Sequence, residues 1–330
     1  MEAVMPAGVT TKVPEDIDPM AGMIHAPAAP PPGGRRYDRT ALLFLGPTAT
    51  LLLVFLVYPT IYTIALSFNR GRRGEFTEWV GLDHYVSLLT GDKSFLDLST
   101  FPPEGAIWNN LLWGVFYTGI VIFLGLVVAV LASRVRYESI IKAVVFLPMA
   151  IAATALAIIW NFVYAPDSNI GLLNAILDPV TDRGISWLGN PSLVNAALIT
   201  AGVWGSVGFA TVILSAALKS IPSEILEAGR VDGAGERQVF FRIILPMVSL
   251  PISVLAVTLI VNVIKLFDLI YVLTNGGPGT KSRVIAFTMY NDSIPGGQFG
   301  RGAAIAVIML LLLLPVMVYN VRRFRSSRVT

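Results

Sequence analysis

The chain has no cysteine and only two histidines, His25 and His84. Disulfide frameworks, thiolate metal sites and cysteine nucleophiles are therefore excluded, and a histidine-based triad or metal cluster has no raw material. Charge is scarce as well. Only 14% of the 330 residues are charged, where an average soluble domain has about 25%. The net charge of +3 is too small to point to a nucleic-acid partner. No G-x-x-x-x-G-K-[ST] run is present, so the chain lacks a phosphate cradle of its own. H-E-x-x-H and G-x-S-x-G are missing too. No catalytic residue and no metal ligand is assigned. Any energy from ATP has to come from a partner.

What is present is apolar. Hydrophobic residues make up 55% of the chain, and the mean hydropathy is +0.70. This composition predicts an all-α integral membrane protein. Residues 1–36 differ from the rest. They hold seven prolines, no apolar period, and Glu15, Asp16 and Asp18 where a signal peptide would be apolar. The expectation is a disordered cytoplasmic tail ahead of a membrane domain over 37–330. A docking segment for a partner is the alternative.

A hydrocarbon core about 30 Å thick needs roughly 20 apolar residues per helix. Six stretches qualify, at about 40–67, 108–132, 139–163, 195–218, 247–270 and 303–319. With the N-terminus inside, 15 of the 24 Lys and Arg residues fall on the inner side and 8 on the outer, with Lys265 within a span. That bias predicts both termini cytoplasmic. Arg70, Arg72 and Arg73 oppose it locally. They lie in a long outer loop, 68–107, that also carries Trp79, Tyr85, Phe95 and Phe101.

The segment 219–246 is the long cytoplasmic connection. A mere link between antiparallel helices needs only about 2–8 residues. Pro222 suits a first helical turn and Gly233 a helix stop, so a short helix is expected between them. Ile225, Leu226, Ala228 and Gly229 give it an apolar face; Glu224, Glu227, Arg230 and Asp232 give it charge. A second helix follows from near Ala234 toward Pro246. The first helix is either an inert surface element or a knob for another protein's groove.

The residues favour the knob. Glu227-Ala228-Gly229, then three residues, Gly233, nine residues, and Ile243-Ile244-Leu245-Pro246 resemble the EAA loop of permease subunits of binding-protein-dependent ABC importers. That pattern is E-A-A, three residues, G, nine residues, I-x-L-P. Gly229 departs from it, standing where alanine is usual. Further runs are similar to the carbohydrate branch, in its larger maltose-type and α-glucoside permeases. They are Trp79-Val-Gly-Leu-Asp-His-Tyr85, the stretch from Phe267-Asp268 to Gly276-Gly277-Pro278, and Phe299-Gly-Arg-Gly302. The resemblance covers about residues 40–325. It implies a six-helix type I importer permease in a bacterial inner membrane, without enzymatic activity. It implies that Glu227, Ala228, Gly229, Asp232, Gly233, Ile243, Leu245 and Pro246 couple to an ATPase. It implies as partners a second permease subunit, two ATP-binding cassette subunits that use the ATP, an extracytoplasmic sugar-binding protein, and membrane lipid. The substrate it implies is a sugar, with α-glucosides such as maltose or trehalose as the first expectation.

Two features bear on a transport path. In the fourth span, Ala197, Ala201 and Gly205 recur at i+4, as do Gly202, Ser206 and Ala210. Such spacing lets helices approach closely. It serves either packing within the chain or a pathway or subunit contact. In the fifth, Thr258, Asn262, Lys265 and Asp268 fall on one polar stripe of a helix. Either Lys265 snorkels to Asp268 at the interface, or the stripe faces the sugar path. Trp204, Phe209, Asn262, Lys265, Phe267, Asp268 and Tyr271 are the candidate pathway residues. An ion-coupled secondary transporter is the rival reading, since Pro148, Pro246 and Pro251 could break spans.

Overall fold

The structure is a computed structural model that describes residues 39–72, 74–179 and 184–326, with side chains described for 43–72, 74–179 and 184–323. The proline-rich tail expected over 1–36 lies outside the described residues, as do Arg73 and Arg183 of the charge count. The chain falls into two units, Met1–Leu56 and Val57–Thr330. The described part of the first is helix, interrupted only by a π turn that begins at Leu53. All else below concerns the second unit, apart from the helix that both share.

Among the described residues the fold is helical, with isolated backbone bridges such as Asn69–Trp79 in place of sheets. Besides short helical turns at Asp83–Val86, Ser87–Gly91 and Leu172–Leu177, the helices in chain order are α1 (Leu43–Ser67), α2 (Ala106–Ala132), α3 (Glu138–Ala150), α4 (Ala153–Val163), α5 (Val194–Lys219), α6 (Ser223–Val231), α7 (Glu236–Met247), α8 (Ser249–Ile264), α9 (Asp268–Leu273), α10 (Ile285–Ser293) and α11 (Phe299–Ser326). Four of them, α1, α2, α5 and the Phe299–Arg323 part of α11, are long and apolar enough to cross a membrane alone.

Two of the expected spans are not single helices. The third, read as continuous over 139–163, is α3 and α4 joined at a bend of 100°. Pro148 falls in a 3₁₀ turn there, and Ile151 and Ala152 are extended. A proline removes an intrahelical donor and crowds the preceding turn, which weakens the helix around it. The fifth, read as 247–270, is also divided. α7 and α8 meet at 62°, and α8 stops at Ile264.

Lipid tails are as apolar as leucine, so burial alone does little to hold such helices together; close approach does. The small residues of α5 supply it. Ala197, Ala201 and Ala210 are buried. A methyl group on Gly202 would lie 2.9 Å from the Trp113 ring, and one on Gly125 of α2 would lie 2.6 Å from Ala210 Cβ. At Gly208 a methyl would strike the backbone of Val145 and Phe146, so α3 rests directly on α5. The small-residue pattern is thus used for packing within the chain. Around this seam Trp113, Val121, Leu198, Leu214, Leu255, Leu259 and Ile270 form the buried core.

Ion pairs mark the two ends of the bundle. At one end Glu138 takes Lys142 and, at 3.0 Å, Lys219, and Arg134 reaches Glu236 at 3.7 Å. At the other, Lys281 pairs with Glu104, while Arg301 pairs with Asp92 and, at 2.8 Å, with Asp292.

Candidate functional site

The segment 219–246 is built as a helical elbow. Pro222 precedes α6 in an extended conformation (ψ 133°). Gly233 ends it with φ +85°, a region that side chains with a Cβ avoid. Gly233 N–H donates to Arg230 O at 3.0 Å and Ala234 N–H to Gly229 O at 3.0 Å. That pair of bonds is the Schellman arrangement, which satisfies carbonyls the helix end would leave open. α7 then starts with Gly235 N–H donating to Gln238 Oε1 at 3.1 Å.

The elbow is closed by two contacts. A methyl on Gly229 would lie 2.6 Å from Ile243 Cδ1, so the glycine lets α6 sit against α7. Arg230 Nε donates to Glu236 Oε1 at 2.8 Å. The Glu236 carboxylate raises the Arg230 pKa above its ordinary value. Of the candidate coupling residues, Glu227, Ala228, Asp232, Gly233 and Pro246 are exposed, and Gly229, Ile243 and Leu245 are half-buried. Ile225 is exposed too, and Val231 is 86% exposed on a nine-residue helix. α6 therefore presents apolar and acidic side chains outward while Leu226 and Gly229 are half-buried.

The polar stripe takes another form than expected. α8 ends at Ile264, Lys265 is its C-cap, and α9 begins with Asp268. The two charges belong to different helices and do not appear among the ion pairs of the described residues. Each suits the helix end it occupies: a cation at a C-terminus, an anion at an N-terminus. Thr258 is half-buried, and its hydroxyl donates to Val254 O of its own helix.

Across the break the exposed residues keep a spacing of three to four along the chain. Asn262, Lys265, Asp268, Tyr271 and Asn275 are exposed, while every other residue of 263–274 is buried or half-buried. Asn262 also lines a cavity of about 220 Å³ with Trp113, Tyr117, Pro148, Ser206 and Leu266, between the break in the α3–α4 span and the end of α8. There Tyr117 donates to Ser206 Oγ at 2.8 Å. Phe267 stacks on Tyr271 with ring centroids 5.2 Å apart, and Tyr290 of α10 joins them at 4.9 Å from Phe267. Trp204 stands apart, edge-on to Trp160 at 5.9 Å, and Phe209 packs against the core; neither lines the cavity.

Sequence reasoning missed the residues that hold the break in place. Asn110, 8% exposed, donates to Val263 O at 2.9 Å and accepts from Ile285 N–H at 2.7 Å. Its neighbour Asn109 donates to Lys281 O and Arg283 O at 2.8 and 2.7 Å. Two adjacent amides opening an apolar span were the available signal. The Phe299-Gly-Arg-Gly302 run also has a structural basis. A methyl on Gly300 would strike Asn69 O, and Arg301 carries the Asp92 and Asp292 contacts.

Comparison with known proteins gives four results of weight. The model of the family described as binding-protein-dependent transport system inner membrane component matches residues 121–328. The chain is 43% identical to the osmoprotective compounds uptake permease protein GgtC of Synechocystis sp., over 86% of this chain and 99% of that one. It is 39% identical to the alpha-glucoside transport system permease protein AglF of Rhizobium meliloti, over 85% of this chain and 81% of that one. A crystal structure of a bacterial ABC transporter involved in the import of the acidic polysaccharide alginate shares the fold. Its TM-score is 0.71 at 24% identity, with 89% of this chain and 97% of that one covered.

Proposed function

The chain belongs to the family of binding-protein-dependent transport system inner membrane components, and on that footing we propose that it forms half of the pathway of an ATP-driven importer of α-glucosides or related oligosaccharides. Membership makes it a multi-pass inner-membrane permease of the type I importer fold and removes the ion-coupled rival. Its family is one of transport components rather than enzymes.

The observation that carries the reading is a continuous mechanical route. α6 is closed onto α7, α7 runs through the bend into α8, and α8 ends at the exposed polar line. In this proposal both termini and the elbow are cytoplasmic. α6 docks on one of two ATP-binding cassette subunits, which bind and hydrolyse the ATP; this chain binds no cofactor. A second, different permease subunit completes the path, and a sugar-binding protein delivers substrate to the outer end. Closure of the ATPase pair displaces α6, and the elbow passes that displacement to the line at 262–275. Charges inside a span are costly unless they face a bundle interior or water. The open side of Asn262, Lys265, Asp268 and Tyr271 is therefore assigned to the path, with Phe267 behind it. Trp204 and Phe209 are placed with the packing around it.

The test is ATP hydrolysis by the reconstituted complex, with and without loaded binding protein. Glu227→Lys and Gly233→Asp alter α6 or its stop without touching a span. Both variants should insert normally and lose stimulation. Stimulation at the wild-type level in both would overturn the coupling role.

A further inference from the structure

Lys265 and Asp268 are more than polar. They carry opposite charges, stand exposed three residues apart, and do not pair with each other or with another described side chain. On one side lies the Asn262 amide, on the other the Tyr271 phenol stacked on Phe267. An exposed cation and anion held apart by the chain break give the line donors and acceptors but no net charge.

Building on the pathway reading above, we propose that Lys265 and Asp268 make this permease selective for neutral polyhydroxylated solutes over carboxylated ones. A sugar hydroxyl both donates and accepts. Asp268 takes the donors of neighbouring hydroxyls, and Lys265 donates to their oxygens. Hydrogen bonds with one ionised member are stronger than neutral ones. The Phe267–Tyr271 stack offers the apolar face that a pyranose ring needs. A carboxylated sugar gains nothing comparable. Removing water from its carboxylate is costly unless a counter-charge compensates. A pair whose charges cancel does not compensate, and Asp268 repels it.

Each isosteric substitution breaks the cancellation in one direction. Asp268→Asn leaves a lone cation, and Lys265→Gln leaves a lone anion. The experiment uses the purified full complex, trapped with ATP and vanadate and free of binding protein. It measures retention of a neutral α-glucoside disaccharide and of the same disaccharide oxidised to a C6 carboxylate, by equilibrium dialysis. Wild type should retain the neutral sugar in preference. Asp268→Asn should raise the ratio of carboxylated to neutral retention at least about fivefold, and Lys265→Gln should lower it, as a changed like- or opposite-charge contact demands. Ratios unchanged in both variants, with only a lowered melting temperature, would overturn the proposal and leave the charges as helix-end stabilisers. Wild type that retains neither sugar would also overturn it. Stimulation of ATP hydrolysis by added loaded binding protein, in an untrapped sample of the same purified complex, separates that failure from failure of the importer reading itself.

Discussion

Gly229 lies under Ile243: a methyl added to the glycine would stand 2.6 Å from Ile243 Cδ1. The alanine usual at this place in the EAA pattern would press on the far end of a flexible side chain. Alanine gains up to about 1 kcal/mol over glycine in helix propensity. Gly229→Ala alone should therefore be close to neutral, the gain offset by crowding. Gly229→Ala with Ile243→Val, which removes the opposing methyl, should stabilise the elbow by about 1 kcal/mol. Slower amide exchange over 223–231 in the double variant, but not in the single one, is the expected result.

Asn110 supplies one donor and one acceptor to two backbone groups far apart in sequence. Asn110→Leu leaves Val263 O without that donor and strands Ile285 N–H. An orphaned buried group costs about 1–3 kcal/mol. The detergent-solubilised variant should melt several degrees lower. Asn110→Asp keeps the acceptor and should fall between the two. Equal melting of all three would remove Asn110 from this role.

The Asp92 carboxyl sits outside the spans. Burial acts to raise its pKa, but hydrogen bonds from the Ser94 side chain and backbone, with the Arg301 charge, outweigh burial and hold it below 3.8. A lowered carboxyl pKa contributes stability that is complete above the unfolded value and is lost as pH falls through the folded one. The 87–96 segment should thus keep its amide protection down to about pH 4 and lose it below. In Arg301→Gln the loss should begin at higher pH.

Because the native chain contains no cysteine, single cysteines report topology cleanly. Ser223, exposed at the start of α6, and Phe101, 98% exposed in the outer loop, are suitable positions. Ser94 is less suitable, since its hydroxyl donates to Asp92. In intact cells an impermeant thiol reagent should label Phe101→Cys and spare Ser223→Cys. The opposite pattern would reverse the orientation.

Much of the elbow was legible because its signals are local. Pro222, Gly233 and the spacing to Pro246 act within a few residues of where they stand. The hydrophobic runs likewise marked where helices lie. The break after Ile264 was not legible, because periodicity assumes a continuous helix. Nothing in 258–268 announces that the helix ends at Ile264. The end is held by Asn110, more than 150 positions away, whose side-chain amide donates to the carbonyl of Val263. Pro148 was a visible breaker, but the seating of α3 on Gly208 of α5 beside the 100° bend was not visible. Lys265 and Asp268 were recognised as a related pair, but their separation into two helix ends is a property of the tertiary structure.

The approach of Gly300 to Asn69 leaves no room for even a methyl group between the start of α11 and the outer loop. Arg301 pins the same junction to Asp92 and Asp292. Interfaces packed this tightly do not deform gradually; they stay together or separate as a whole. The outer loop, α10 and the first turn of α11 are thus one rigid cap. A cap that cannot flex moves wherever its supports move. In the proposed import cycle, flexing then falls to the unwound backbone at 151–152 and 265–267, which borders the cavity. On that proposal, opening of the path and tilting of the cap are a single motion, and whatever lands on the cap is felt at Asn262.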